Sequence, residues 1–228
     1  MEATLLNRII DASENLHGSG TLLPDVLEAL ARHLSGGPVR HSVETGSGAS
    51  TLLFSHLSED HTVFALETGG SVTNVKASAL LNRKTTTFIE GPTQKTLPGY
   101  RFSEGLQVAL LDGPHGFPFP NLEYYYIYPH IEENGLLVVD DIHIRSIHDL
   151  FNFLKADTMF ELVEVVRMTA IFRRTAAPAF NPLADGWWLQ GYNRRILSTV
   201  VWKGRLHRPV PALFRAALRK VRQNVKRT

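Results

Sequence analysis

The chain has 228 residues, 43% of them hydrophobic and 20% charged, a composition that suits one sizeable globular domain with a full core. It contains no cysteine, which excludes a disulfide framework, a zinc–thiolate site and a thiol nucleophile. The net charge of +2 conceals an asymmetry: residues 203–228 carry nine Lys or Arg and no acid, leaving 15 basic and 22 acidic side chains, a net of −7, on the first 202 residues.

The opening residues MEATLLNRII lack a basic stretch followed by a long apolar one, so no signal peptide is expected. No apolar run approaches the roughly 18 residues of a transmembrane helix, and a cytoplasmic location is expected. Helices are expected within residues 1–37, where LLPDVLEALARHL (22–34) has helical apolar spacing and SGG (35–37) stops it. A short strand then ends in the Gly-rich turn of VETGSGAST, and STLLFSHL follows as a helix. Strands are expected over 61–67, 85–91, 106–112 and 135–141, with helices over 72–83, near 121–133 and over 146–156 between or after them. FELVEVVR and TAIFRRT are joined too tightly for a crossover helix and read as an antiparallel hairpin.

Alternating strands and helices imply an α/β fold: a Rossmann-like, doubly wound sheet of about seven strands, mostly parallel, closed by that hairpin. A single domain is expected over 1–202, with its core at 38–175 and an aromatic loop at 176–202 containing Trp187 and Trp188. Residues 203–228 are expected to form a basic helix or tail. In such sheets ligands bind beyond the carboxyl ends of the strands. Every polar feature below lies at such an end.

Gly46 and Gly48 let the backbone turn tightly and approach a ligand. The Gly-Lys-Ser/Thr of a P-loop is absent, and Thr51 stands where a dinucleotide fingerprint needs its third Gly. Glu44, two residues before Gly46, would repel a pyrophosphate and suits a cationic ligand instead. Here the segment resembles the class I S-adenosylmethionine (SAM)-dependent methyltransferases, whose first motif reads acidic-x-Gly-x-Gly. In that family an acid at the end of the second strand holds the ribose, and FALET places Glu67 there; the end of the third strand, IEGPT, implicates Gly91 beside the adenine. The resemblance thus implies SAM as cofactor, bound by Glu44, Gly46, Ser47, Gly48, Ser50, Thr51, Glu67, Gly91 and Asp112.

Two apolar strands stop on acids: VALLDGPHGF at Asp112 and LLVVDDIH at Asp140 and Asp141. If the strands are neighbours, about 4.8 Å apart, these carboxylates can converge on one cation, and three hard oxygen donors suit Mg²⁺ or a similar divalent ion. Read singly, Asp140 and Asp141 also fit a helix cap, and Asp112-Gly113-Pro114 an ordinary turn. Together they resemble the metal-dependent O-methyltransferases of the catechol and macrolide-sugar types. That resemblance implies Asp112, Asp140 and Asp141 as metal ligands. It also implies His143, two residues past the acidic pair, as the general base, with Asp112 beside it in the chemistry. His115 reads as a neighbour or an alternative base, and His130 and His148 as helix-surface residues.

The expected function is O-methylation of a small hydroxylated acceptor, a sugar of a glycoside or a phenol. Alternatives are a metal-independent SAM methyltransferase and a non-catalytic binding module recruited by its basic tail. Homodimers are a common assembly of the resembled family. In the tail, Phe214, Leu218, Val221 and Val225 recur at helical spacing, which suits docking on the body or a second subunit, or peripheral contact with an anionic membrane. No specific nucleic-acid motif is present.

Overall fold

Strand positions in this chain follow from apolar runs that are buried on both sides. Val108, Ala109 and Leu110, and likewise Leu137 and Val138, are fully buried, as a parallel sheet covered on both faces requires. The computed structural model describes residues 3–16, 21–102, 105–180, 190 and 192–193. It divides into two units, Met1–Gly186 and Trp187–Thr228. In the second, Asn193 donates from Nδ2 to Gln190 Oε1 at 2.8 Å. The Trp187–Trp188 pair and the basic 203–228 segment lie outside the described residues.

The first unit is a seven-stranded sheet: β1 (Val39–Thr45), β2 (Ser58–Ala65), β3 (Thr86–Glu90), β4 (Leu106–Leu111), β5 (Ile131–Val139), β6 (Phe160–Val166) and β7 (Thr169–Arg174). The spatial order is β3-β2-β1-β4-β5-β7-β6. The first five strands pair in parallel, and β7 runs antiparallel to both β5 and β6. The fold is the expected Rossmann-like doubly wound sheet with its antiparallel end.

Helices α1 (Ala3–Ser13), α2 (Pro24–His33) and α3 (Ala49–Leu57) share one core cluster with Val108, Leu110, Leu136, Val138 and Ile171 of the sheet. The other face, with Val43, Ala109, Leu111, Leu137 and Val139, packs against α6 (Phe119–Ile127) and α7 (Arg145–Ala156). Two short helices, α4 (Ser71–Ala77) and α5 (Thr93–Thr96), follow β2 and β3. Helix α2 shows how local sequence sets an element. Pro24 starts it with a preset φ, Asp25 sits in the first turn where the dipole favours an anion, and Val26, Leu27 and Leu30 are buried. Each such side chain contributes roughly 1.5–3 kcal/mol on burial.

Several boundaries differ from expectation. Strand β2 covers 58–65 rather than 61–67. Helix α4 stops at Ala77 instead of residue 83, because Ser78 turns extended (ψ 133°) and its hydroxyl accepts the Leu80 N–H. The helix expected near 121–133 ends at Ile127 in a 3₁₀ turn over Tyr128–His130, and Pro129 brings no amide hydrogen to continue the ladder. Strand β5 therefore begins at Ile131. Among the described residues no helix is long and apolar enough to cross a membrane.

Candidate active site

Strand order reverses between β1 and β4, which opens a crevice beyond their carboxyl ends. Gly46 and Asp112 each follow directly on one of these strands. Gly46 donates its N–H to Phe64 O at 2.9 Å, and Asp112 donates to both the carbonyl and the hydroxyl of Thr45, at 3.2 and 3.1 Å. Gly46 has φ +93°, and a Cβ there would lie 2.5 Å from the Asp112 carbonyl oxygen. Both the conformation and the close approach require glycine. The two strand ends are thereby locked together.

The first-motif residues divide into two groups. Gly46 and Ser47 line a cavity of about 930 Å³, and the Ser47 hydroxyl oxygen is buried without a hydrogen-bond partner. Glu44, Ser50 and Thr51 are buried behind it and do not line the cavity. Glu44 accepts from Thr51 Oγ1, and the Gly48 N–H donates to that same Thr51 oxygen at 3.0 Å. Glu67 stands two residues past the end of β2, exposed. Its Oε2 accepts from the amide and hydroxyl of Thr73, both at 2.8 Å, which caps α4 and holds its pKa below the usual carboxylate value. Gly91 (φ +140°) sits just beyond β3 and passes the chain to Pro92, Thr93 and Gln94, which line the cavity.

The two Asp-ended strands are neighbours, with Leu111 paired to Val139 in parallel register. Asp112, Asp140 and Asp141 all line the cavity. Asp141 has φ +55°, a left-handed conformation that turns it out of the strand line. Its loop is tied down by Ile142, whose N–H donates to Met168 O at 2.9 Å. The side chains that converge are Asp112, Asp141 and His115, whose ligand atoms lie within 4.8 Å of one another. Asp140 instead accepts a hydrogen bond from the Thr169 hydroxyl.

A family model for a methyltransferase domain matches residues 43–142, the stretch that holds the Gly turn and both acidic strand ends. Residues 43–142 are thus similar to a methyltransferase domain. Solved structures of the same fold include TomG from Streptomyces achromogenes, an O-methyltransferase of tomaymycin synthesis in complex with SAM; it is 13% identical, with 77% of this chain and 92% of that one covered and a TM-score of 0.55. The O-methyltransferase from Bacillus cereus, in complex with S-adenosylhomocysteine (SAH), is 15% identical over 77% of this chain and 92% of that one, with a TM-score of 0.53. The SAH-bound methyltransferase PaMTH1 from Podospora anserina is 14% identical over 76% and 89%, with a TM-score of 0.54. No curated protein matches the chain.

In this cavity His115 Nε2 lies 3.2 Å from Asp141 Oδ2 and 3.7 Å from Asp112 Oδ1. It is buried and makes no hydrogen bond to either. His115 is fixed from behind, because Ser146 at the start of α7 donates its hydroxyl proton to the His115 carbonyl. His143 does not line the cavity; its ring is about half exposed, with Nδ1 3.6 Å from Asp141 Oδ1. His130 packs against Phe102, and His148 bonds the Ile142 carbonyl through Nδ1. His143 was implied by the family resemblance, from its place two residues past the acidic pair. The signal for His115 was its position three residues past Asp112, in a loop whose Gly113 and Pro114 fold it back over the strand end.

The carboxyl groups of this wall crowd one another. Burial pushes the Asp112 carboxyl up to about 7, and the Asp140 and Asp141 charges add to the effect. Burial likewise raises Asp140. The Asp112 carboxylate beside His115 holds that imidazole above its ordinary value. Behind the wall Glu123 of α6 is buried and accepts from Thr45 Oγ1 at 2.9 Å; burial pushes it up to about 7. Gly113 leaves no room for a Cβ against it, since one would lie 2.2 Å from Glu123 Oε1. Glu123 had no signal in the sequence, because a lone Glu on a helix ordinarily faces solvent.

Proposed function

We propose that this chain is a class I SAM-dependent methyltransferase that transfers the methyl group of SAM to a hydroxyl of a small molecule, a sugar of a glycoside or a phenol, with a divalent cation such as Mg²⁺ at Asp112, His115 and Asp141. The observation that carries the metal reading is the convergence of two carboxylates and one imidazole on a cavity wall shared with Gly46 and Ser47. The residues fit such an ion. Oxygen donors dominate, one imidazole suits the same divalent metals, and the His115 Nε2 is an orphaned buried atom aimed at two carboxylates. A bound divalent cation lowers the pKa of an acceptor hydroxyl and fixes its oxygen.

The chain's own residues supply the rest. Gly46 and Ser47 offer backbone and hydroxyl to the cofactor, and Pro92, Thr93 and Gln94 line the same cavity beyond β3. Leu22, Leu23 and Val26 of the α2 segment, with Met168, give the cavity apolar walls that exclude water from the reacting atoms. Asp140, held by Thr169, steadies the loop that carries Asp141.

A second reading keeps SAM and omits the metal. The pairing of His115 with Asp112 and Asp141 favours it, because carboxylates beside an imidazole raise its basicity and suit it to accept the hydroxyl proton. Transfer of labelled methyl from SAM to a panel of sugar glycosides and phenols, with and without EDTA, separates the two. Loss of turnover with EDTA and recovery with Mg²⁺ supports the metal; EDTA-insensitive turnover lost in His115→Ala supports the second reading. No transfer to any hydroxyl acceptor contradicts both.

A further inference from the structure

The face of the sheet under α3 contains a polar chain that an apolar core would not need. Ser42 and Glu44 of β1 point to the same face, in register with His61 and Val63 of β2 and with Val108 and Leu110 of β4. Across the rest of that face the matching positions are apolar: Val108, Leu110, Leu136, Val138 and Ile171. Ser42, Glu44 and His61 are nonetheless at most 2% exposed. A carboxylate and an imidazole at such depth are costly relative to an apolar filling unless their bonds are well made.

These bonds run in one direction. Ser58 Oγ lies 2.7 Å from Ser42 Oγ, and Ser42 Oγ lies 2.8 Å from His61 Nδ1. His61 Nε2 lies 3.1 Å from Glu44 Oε1, which also accepts from Thr51 Oγ1; Thr51 in turn accepts the Gly48 N–H at 3.0 Å. A carboxylate only accepts, so His61 Nε2 carries the ring proton, Nδ1 accepts from Ser42, and Ser42 accepts from Ser58. The Phe54 ring of α3, 5.3 Å from the imidazole between centroids, closes the site. Gly48 is the N-cap of α3 and has no side chain to cap with, so the Thr51 hydroxyl does this from the third helical position. That hydroxyl has one proton, and Glu44 takes it.

We propose that His61 is a positioning residue for the cofactor turn: through Glu44 and Thr51 it sets the Gly48 amide and the start of α3, and so the affinity for SAM. The proposal rests on the reading of Gly46–Gly48 as the SAM turn. His61 does not line the cavity. Without its proton, Glu44 Oε1 loses the bond that fixes its rotamer, and Thr51 loses a fixed acceptor. A turn displaced by about 1 Å is enough to cost a factor of ten or more in a site that depends on close backbone approach.

The test is calorimetric titration of SAH into wild type, His61→Phe and His61→Gln, each first shown to be folded by circular dichroism, with amide hydrogen exchange at Gly48 measured in the ligand-free proteins. Glutamine restores both halves of the link, since its NH₂ donates to Glu44 and its carbonyl accepts from Ser42. The expected result for His61→Phe is SAH binding weaker by about tenfold or more and faster exchange at Gly48, with His61→Gln within about threefold of wild type. In turnover the Phe variant raises the KM for SAM and leaves kcat near wild type. A folded His61→Phe that binds SAH like wild type overturns the proposal, as does a Gln variant no better than Phe. Should His61→Phe not fold, Ser42→Ala removes the donor that orients the ring; weakened SAH binding supports the proposal and wild-type binding overturns it. Wild type that fails to bind SAH overturns the cofactor reading itself, an outcome distinct from the loss of the positioning role alone.

Discussion

Gly46 ties the two halves of the site together, because its missing Cβ is what lets β1 and the Asp112 carbonyl come within contact. Gly46→Ala is expected to push these strand ends apart and to abolish the rise in Tm that SAH gives wild type, measured by thermal shift. Among the acids the roles are unequal. Asp141→Ala is expected to remove divalent-ion binding and reduce turnover by 10²-fold or more, on the order found when a group that positions reacting atoms is lost. Titration with Mn²⁺ followed by paramagnetic resonance checks the first part. His143→Ala is expected to change turnover by less than about threefold, given that ring's position outside the cavity; a loss as large as that of Asp141→Ala would support the base role that the family resemblance implies for His143. The acids themselves were legible from the sequence, because buried parallel strands that stop on carboxylates are conspicuous. That His115 Nε2 stands 3.2 Å from Asp141 Oδ2 was not. That depends on the left-handed turn at Asp141 and on the return path of the Gly113–Pro114 loop, neither of which is encoded in spacing.

Elements with long apolar periodicity were readable, and short ones set by side-chain hydrogen bonds were not. The central strands follow from runs buried on both faces, while the edge strands β3 and β6 are only partly buried. Helix α5 and its 3₁₀ extension over Leu97–Gly99 gave no signal, since TQKT has no apolar face and one turn has no period. The end of α4 depended on Ser78 competing with the backbone. Helix α2 makes the energetic side testable. Leu27 is fully buried against the α1–α3 face, and Leu27→Ala is expected to destabilise the domain by about 2–5 kcal/mol in urea unfolding. The β6–β7 turn acts as a brace at the same scale. Met168 receives the Ile142 N–H, Thr169 holds Asp140, and Arg167 pairs with Asp25 of α2 at 2.5 Å. One tight turn thus ties the edge of the sheet to the acidic loop and to the helix above the cavity.

At the scale of the molecule, the sheet order explains why the site lies where it does. Reversal between β1 and β4 leaves the crevice, and the sequence carried enough of the alternating pattern to anticipate both fold and crevice. It did not carry the buried carboxylate of Glu123 behind that crevice, because packing of α6 onto Thr45 is what buries it. That burial has a consequence for stability. The carboxyl titrates near 7 in the folded protein against an ordinary 4.5, so the folded state holds its proton more tightly than the unfolded state does. The contribution is fully present below about pH 4.5 and is lost as pH rises through 7, on the order of 3 kcal/mol in all. Glu123→Gln keeps an acceptor for Thr45 and removes the ionisation. It is expected to be more stable than wild type at pH 8 and to show a flatter stability profile between pH 5 and 8 in denaturant titrations.

The most direct test of the cofactor assignment is isothermal titration of SAH into the purified wild-type protein. Binding of one SAH per chain, with a dissociation constant on the order of micromolar and heat lost in Gly46→Ala, is the predicted result. A folded wild-type protein that gives no saturable binding of SAH would contradict it.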